Sequence, residues 1–330
     1  MDLVTGGTGI VGRELLAQIL SEGHHVRALR RTNSDVAGTE AFISSLGVST
    51  QNLTWIEGDT RNYDEMALAI QGCDRVYHAA ALVSFHPADE PHLMEVNRGG
   101  TENVVNAMLD LGVKDLIYVS SVAALGHNTT MVTEETPFEE GPLVTGYSRS
   151  KYASELEVWR GQEEGLRVLI VNPSIIIGEG DFSRSSGELF SQSAKGVPVH
   201  PAGANGFVSA RSVASACYKL AESGLRGERF LLNASNLSYK TAMNLIAKSV
   251  NAAPPTKVVT WWMIDIVVAI FKLLEIITGR KSLANKTSMK MAQLNTKYDG
   301  TKILGVLKGW EYESIEKAIE RTGKAYLESV

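Results

Sequence analysis

The sequence predicts an α/β fold in which a parallel sheet is covered by helices on both faces. Three observations predict it. Glycines recur at intervals of three in a turn that follows the first apolar run. Apolar runs then alternate with helical patterns, which is typical of a doubly wound parallel sheet. Beyond residue 171 the alternation stops, and helical patterns from residue 240 onward predict a smaller, mostly helical C-terminal lobe.

The first element is a strand over residues 1–5 that must turn sharply into a helix. Gly6, Gly9 and Gly12 follow it. Glycine at these positions allows the tight turn, lets the backbone approach a pyrophosphate and lets the helix lie close on the sheet. The free N–H groups of the helix N-terminus then face the anion. A second apolar run at 26–29 completes a βαβ unit of the Rossmann type, which binds dinucleotides.

The end of the second strand indicates which dinucleotide binds. A carboxylate there would hold the ribose hydroxyls of NAD, but Arg30 and Arg31 occupy the position and Asp35 comes only later. Guanidinium groups bind a 2′-phosphate well, so we expect NADP(H), with NAD as the alternative. The other interpretation is that both arginines are solvated loop cations.

The remaining elements follow from the alternation. Apolar runs predict strands at 53–56, 76–81, 116–119, 166–171 and 229–232, and helical patterns predict helices at 64–70, 95–111 and 147–162. Ligands of such sheets bind beyond the carboxyl ends of the strands. We therefore expect two units: a dinucleotide-binding domain of residues 1–171 plus about 207–234, and a substrate-binding lobe of about 172–206 and 235–330.

Composition excludes several classes of protein. The chain has 330 residues, 44% of them hydrophobic and 21% charged, as in an ordinary soluble protein. A net charge of -5 without a basic patch argues against a nucleic-acid partner. The two cysteines, Cys73 and Cys217, have neither a metal nor a redox spacing, and we expect a cytoplasmic location.

Tyr147 and Lys151 are the first candidates for chemistry. Four residues apart, they lie on one face of the helix predicted at 147–162. A neighbouring ammonium stabilises a phenolate and lowers the tyrosine pKa, as general acid–base catalysis at a carbonyl requires. Tyr and Lys also fall at this spacing by chance.

Three further polar residues are candidates for the site. Ser120 and Ser121 end the run at 116–119, where a serine can donate a hydrogen bond to a substrate oxygen that becomes charged. An ordinary strand-end turn is the alternative. Asn97, near the start of the helix predicted at 95–111, is either an N-terminal cap or a member of a proton relay.

Together these residues resemble the extended type of the short-chain dehydrogenase/reductase superfamily, the NAD-dependent epimerase/dehydratase family. The resemblance covers nearly the whole chain. It is carried by Thr5-Gly6-x-x-Gly9-x-x-Gly12, Gly58-Asp59, Tyr77-His78-Ala79-Ala80, Asn97-Arg98-Gly99-Gly100-Thr101, Ser121 in Val119-Ser120-Ser121-Val122-Ala123, Tyr147-x-x-x-Lys151 and Pro173-Ser174. Two positions depart from the usual pattern: Asn172 stands where many relatives have arginine, and residues 209–214 lack an aspartate.

The resemblance implies a role for each matching position. Tyr147 would be the acid/base, Lys151 would bind the nicotinamide ribose and tune Tyr147, and Ser121 would polarise the carbonyl, with Ser120 as its alternative and Asn97 in support. The cofactor would be lined by Gly6, Gly9, Ile10, Gly12, Arg30, Arg31, Asp59, Ala79, Ala80, Lys151 and Pro173, and the substrate by Ser84, Phe85 and Ser174.

Within the superfamily, the chain is most similar to dihydroflavonol reductases and 3β-hydroxysteroid dehydrogenases. We therefore expect an NADP(H)-dependent oxidoreductase for an apolar ketone or secondary alcohol. A nucleotide-sugar epimerase or dehydratase with tightly bound NAD is the alternative; its phosphates would need cations, for which Arg184, Lys195 and Arg211 are the nearby candidates. A non-catalytic redox-sensing protein is the second alternative.

Three expectations concern partners and metals. Residues 261–277 form an apolar stretch interrupted by charge, which indicates packing against the smaller lobe or a subunit, with peripheral membrane contact as the alternative. We also expect a homodimer, because the helices that carry Asn97 and Tyr147 are rich in apolar residues: Val104, Val105, Met108, Leu111, Leu156 and Trp159. A loop with His86, Asp89, Glu90 and His92 lacks a metal-ligand spacing, so we expect a solvated lid and no metal.

Overall fold

The computed structural model describes residues 1–126, 131–183, 185–261, 263–264 and 286–330. Its strands are β1 (Asp2–Thr5), β2 (Val26–Arg30), β3 (Leu53–Glu57), β4 (Arg75–His78), β5 (Asp115–Val119), β6 (Met131–Val132), β7 (Arg167–Pro173), β8 (Ile175–Ile177), β9 (Val199–His200), β10 (Ala204–Ser209), β11 (Glu228–Leu232), β12 (Ser235–Ser238), β13 (Lys257–Val258) and β14 (Lys297–Tyr298).

The helices alternate with the strands of the first half of the chain and dominate its end. They are α1 (Ile10–Ser21), α2 (Val36–Ser45), α3 (Tyr63–Ile70), α4 (Glu90–Leu93), α5 (Gly100–Leu111), α6 (Gly146–Glu163), α7 (Glu188–Ala194), α8 (Ala210–Glu222), α9 (Tyr239–Ser249), α10 (Lys286–Met291), α11 (Lys302–Val306) and α12 (Ile315–Ser329). A π-helix, Met94–Gly99, joins α4 to α5.

The main sheet confirms the predicted fold class. It has seven strands in the order β11-β7-β5-β4-β1-β2-β3, and every pair is parallel. Each of its strands overlaps a predicted one. The fourth ends at His78 rather than at residue 81, because Ala79 and Ala80 leave the ladder where the chain passes the glycine turn.

Alternate residues of the buried strands enter two different cores. Val4 and Ile117 pack on the side of α1 and α8, whereas Leu3 and Leu116 pack on the side of α3 and α5. Both faces of the sheet are therefore covered, which explains why these strands read as continuous apolar runs. Val104, Val105 and Met108, on which the expectation of a homodimer partly rests, are fully buried in the second core, so they are not available to a subunit interface.

A smaller lobe lies after β7. Its three-stranded sheet has the order β12-β10-β8, and α7, α9 and α12 pack with it around Phe190, Phe207 and Ile246. The end of β10, Phe207–Ser209, pairs with Ile175–Ile177 in this smaller sheet rather than in the main one. The predicted division into two domains otherwise stays a prediction.

Candidate active site

The glycine turn between β1 and α1 is shaped to hold a phosphate. Gly6 has a φ of +70°, and a Cβ on it would lie 2.7 Å from the nitrogen of Ala80. A Cβ on Gly12 would lie 2.0 Å from the carbonyl oxygen of Gly6. Gly9 is the N-cap of α1 and has no side chain to occupy the helix end. The turn therefore fits a dinucleotide pyrophosphate, which the backbone N–H groups would bind.

Neighbouring residues fix this turn to β4 and to the smaller lobe. The hydroxyl of Thr5 bonds His78 Nδ1 at 2.7 Å and accepts the N–H of Ala80 at 3.2 Å. Burial, together with the charge of Lys151, lowers the pKa of His78 to about 3, so this imidazole is neutral. Ile10 touches Gly180, where an added Cβ would lie 2.3 Å from Ile10 Cγ2.

The side chains predicted at the adenosine end differ in how they are engaged. Arg30 forms an ion pair with Glu57 on the neighbouring strand at 2.9 Å, and Arg31 is exposed. Hydrogen bonds from Arg61, helped by its charge and that of Arg31, hold the pKa of Asp59 below its ordinary value. Asp59 is therefore ionised and already paired with Arg61, at 2.9 Å.

Ser121 and Tyr147 meet beyond the end of β5. The Ser121 hydroxyl lies near the Tyr147 phenol, and Ser121 Oγ accepts the N–H of Ala123 at 3.1 Å. Burial raises the pKa of Tyr147, and the nearby Ser121 hydroxyl opposes the rise. Thr145 caps α6 just ahead of Tyr147 by accepting the N–H of Ser148. The two predicted residues thus lie together at a fixed helix start.

Lys151 is placed differently from the expectation. Its Nζ donates to the phenol of Tyr118 at 2.6 Å and to the carbonyl of Val119 at 3.0 Å. Burial lowers the pKa of Lys151 to about 7, and the charge of Glu155 opposes the fall. The expectation that Lys151 lowers the pKa of Tyr147 is wrong for this arrangement, because the ammonium extends to β5 and the tyrosine pKa is raised.

Asn97 holds two parts of the site together. Its amide accepts the N–H of Leu82 at 2.7 Å and donates to the Leu82 carbonyl at 2.9 Å. It also donates to Ser150 Oγ, on α6, at 2.9 Å. Asn97 lies inside the π-helix and not at a helix start, so the N-cap interpretation is wrong. It ties the loop after β4 to the helix of Tyr147 and Lys151.

One buried polar group behind the serines was not predicted from the sequence. Glu155 lies one turn beyond Lys151 and accepts hydrogen bonds from Asn172 and Arg229. Asn172 also donates to the Ser121 carbonyl at 3.0 Å. The Ser120 hydroxyl is buried and has no hydrogen-bond partner among the described residues, whereas the Ser121 hydroxyl lies near the Tyr147 phenol, which favours Ser121 for the carbonyl. The four-residue spacing of Lys151 and Glu155 was the available signal.

The loop after β4 places an apolar side chain beside the tyrosine. The rings of Phe85 and Tyr147 meet edge to face with centroids 5.7 Å apart, and Phe85 is 42% exposed. Ser84 donates to Asp89 at 2.7 Å within the loop. Ser174, in contrast, is buried and donates to Asn233 at 3.0 Å, and Pro173 is buried at the end of β7. Their predicted ligand contacts stay predictions.

Other expectations meet the structure only in part. Among the described residues no group of three or more His, Cys, Asp or Glu side chains is arranged to hold a metal, and no helix is long and apolar enough to span a bilayer. Of the apolar stretch 261–277, Trp261 is exposed and Ile264 is buried, whereas residues 262 and 265–277 lie outside the described residues, as does Arg184. Leu111 and Leu156 are exposed, and the homodimer stays a prediction.

Comparison with known proteins gives the same class of enzyme. The family model of the NAD dependent epimerase/dehydratase family matches residues 3–231. Sterol demethylase protein B of Methylococcus capsulatus is 35% identical over 70% of this chain and 68% of its own. A Synechocystis protein provisionally named dihydroflavonol 4-reductase is 28% identical over 96% of this chain and 91% of its own. The crystal structure of gox2253 has a TM-score of 0.82 and 26% identity, covering 100% of this chain and 98% of that one.

A glycine turn after β1 and a serine–tyrosine pair beyond β5, both at the carboxyl ends of strands of one parallel sheet, define an enzyme that uses a nicotinamide dinucleotide. The chain belongs to the NAD-dependent epimerase/dehydratase family. Oxidoreductase and epimerase chemistry both occur on this fold and both fit such a site.

Proposed function

We propose that the protein is an NADP(H)-dependent oxidoreductase that interconverts a ketone and a secondary alcohol on a fairly apolar small molecule. The proximity of the Ser121 hydroxyl to the Tyr147 phenol carries this proposal. The raised pKa of Tyr147 keeps the proton on the phenol at neutral pH, as the acid in carbonyl reduction requires. The bound nicotinamide would supply or accept the hydride.

Each residue of the site has one task in this proposal. Ser121 donates a hydrogen bond to the carbonyl oxygen as negative charge develops on it. Tyr147 gives that oxygen its proton. Lys151 provides a cation beside the ribose of the nicotinamide half, for which its pKa of about 7 leaves it partly charged at neutral pH. The glycine turn holds the pyrophosphate.

The surroundings of Tyr147 support an apolar substrate. Phe85 lies against its ring, and Phe85 and Val83 are 42% and 40% exposed on the loop after β4. Exposed apolar side chains beside a polar catalytic pair are typical of small-molecule sites. The names of two similar proteins, a sterol demethylase protein B and a dihydroflavonol 4-reductase, agree with a bulky apolar substrate.

Nucleotide-sugar epimerisation or dehydration is the second candidate, and the family itself favours it. The cations named for its phosphates give little support. Arg211 lies 3.5 Å from Glu14 and 3.9 Å from Glu313, so its charge is already balanced. Lys195 lies near another carboxylate, because its charge opposes the rise that burial causes in the pKa of Glu188.

A nucleotide analysis and a substrate panel distinguish the candidates. We expect purified protein to oxidise NADPH with steroid, flavonoid-like or aryl ketones, and Tyr147→Phe to abolish turnover while still binding NADPH. Tyr152→Phe is the matched control, because Tyr152 lies further along the same helix and its ring stacks on that of Phe138. Tightly retained NAD⁺, conversion of nucleotide sugars and no net redox exchange would overturn the proposal. A biological effect that survives Tyr147→Phe would indicate a redox sensor.

A further inference from the structure

Arg13, directly after the last glycine of the turn, is a cation with no role in the site described above. Its guanidinium lies 3.4 Å from the carbonyl oxygen of Thr8 and 5.3 Å from the ring centroid of Phe42. Thr8 belongs to the glycine turn, and Phe42 belongs to α2, which follows β2. The guanidinium therefore lies between the phosphate-binding turn and the helix after β2, where the adenosine ribose binds in such folds.

The donors of Arg13 are incompletely used. Its Nε is buried and has no hydrogen-bond partner among the described residues. Burial lowers the pKa of Arg13, and among the nearby acids Asp35 opposes this fall most. The carboxylate of Asp35 also caps α2 by accepting the N–H of Gly38 at 2.9 Å. Stacking thus fixes a guanidinium whose hydrogen-bonding capacity is unfilled.

The two arginines predicted to bind the 2′-phosphate are less well preorganised for it than Arg13. Arg30 is paired with Glu57 at 2.9 Å, and a phosphate would have to compete with that carboxylate. Arg31 is exposed, so binding would have to order its side chain. Arg13 is partly buried and already held by Phe42, so it loses less conformational freedom on binding.

We propose that Arg13 binds the 2′-phosphate of NADPH and is the residue that contributes most to discrimination against NADH. This inference rests on the proposed NADP(H) dependence. Arg31 adds a second, exposed cation, and Arg30 mainly joins β2 to β3 through its ion pair with Glu57. The 2′-phosphate would accept a charge-assisted hydrogen bond from the Arg13 guanidinium, whose Nε has no partner among the described residues.

Binding of NADPH and NADH to the full chain tests this inference, with 2′,5′-ADP and ADP as competitors. Arg13→Ala should weaken NADPH and 2′,5′-ADP by roughly ten- to hundredfold, while NADH and ADP change by less than about threefold. Arg13→Lys should fall between, because it keeps the charge without the planar fork. Lys324→Ala, which removes an exposed cation on the last helix, should leave the binding of all four nucleotides unchanged.

The outcomes distinguish a failure of this inference from a failure of the proposed NADP(H) dependence. Equal losses for NADPH and NADH in Arg13→Ala would overturn the inference by showing that Arg13 only supports the turn. Unchanged NADPH binding in Arg13→Ala, with a large loss in Arg31→Ala, would overturn it while NADP(H) dependence survives. A wild-type preference for NADH would overturn both. Retained NADH binding shows that each variant is folded.

Discussion

Replacing Lys151 by Met should stabilise the protein near neutral pH while it inactivates the site. Lys151 is 1% exposed, and burial lowers its pKa from 10.5 to about 7. The unfolded chain therefore binds more protons than the folded one between these two values, and the burial cost shrinks as the pH rises through this window. At pH 7 the cost is on the order of 4 kcal/mol, and at pH 10 about 1 kcal/mol.

Methionine removes that cost but also removes two hydrogen bonds. The Tyr118 phenol and the Val119 carbonyl lose their donor, which costs roughly 1–3 kcal/mol in total if they find no other partner. We therefore expect Lys151→Met to be more stable than wild type at pH 7 and about equal or less stable at pH 10. The difference between the two pH values should be about 3 kcal/mol, whatever the lost bonds cost.

Urea unfolding of both proteins at pH 7, 8, 9 and 10 measures this difference, because the titrating groups on which Lys151 does not act are shared and cancel. The charge of Lys151 lowers the pKa of His78 and Glu155, which are the exceptions. Lys219→Met on α8, where the side chain is exposed, is the matched control for exchanging a lysine for a methionine. If the stability difference between Lys151→Met and wild type is constant across these pH values, the lysine is not held as a high-energy buried cation, and the reasoning about its pKa fails.

Three further substitutions test other parts of the site. Gly12→Ala should abolish dinucleotide binding, measured by NADPH fluorescence, because its Cβ would lie 2.0 Å from the Gly6 carbonyl oxygen; Gly141→Ala, with open space around it, should bind normally. Asn97→Ala should lower kcat far more than NADPH affinity, because it frees Leu82 and Ser150; equal effects on both would contradict this. Phe85→Ala should raise the KM of an apolar ketone roughly tenfold with little change in kcat. Phe85→Leu, which keeps an apolar side chain, should leave the KM close to the wild-type value.

The fold was largely predictable because its signals are local. Continuous apolar runs, such as the one at 166–171, are buried on both faces of the sheet, and the glycine turn requires conformations and close contacts that a side chain would prevent. The end of β4 was overestimated, since Ala79 and Ala80 are apolar but lie beyond the ladder.

The residues of the site were predictable from the sequence, but their hydrogen-bond partners were not. Ser121 and Tyr147 meet as the motif implies, but Lys151 bonds Tyr118, a residue that the sequence presents only as part of an apolar strand. Arg13 was missed because one arginine in an amphipathic helix is usually a surface residue. Which side chain a long flexible cation contacts depends on tertiary packing, and no periodicity in the sequence reports it.

The central claim is that Ser121 and Tyr147 serve net hydride transfer between NADPH and a ketone. The most direct measurement uses NADPH carrying deuterium at both C4 positions and follows the alcohol product by mass spectrometry. The account predicts one deuterium in the product for each NADPH oxidised, with no product from Tyr147→Phe. Conversion of a substrate without net NADPH oxidation and without deuterium in the product would contradict it.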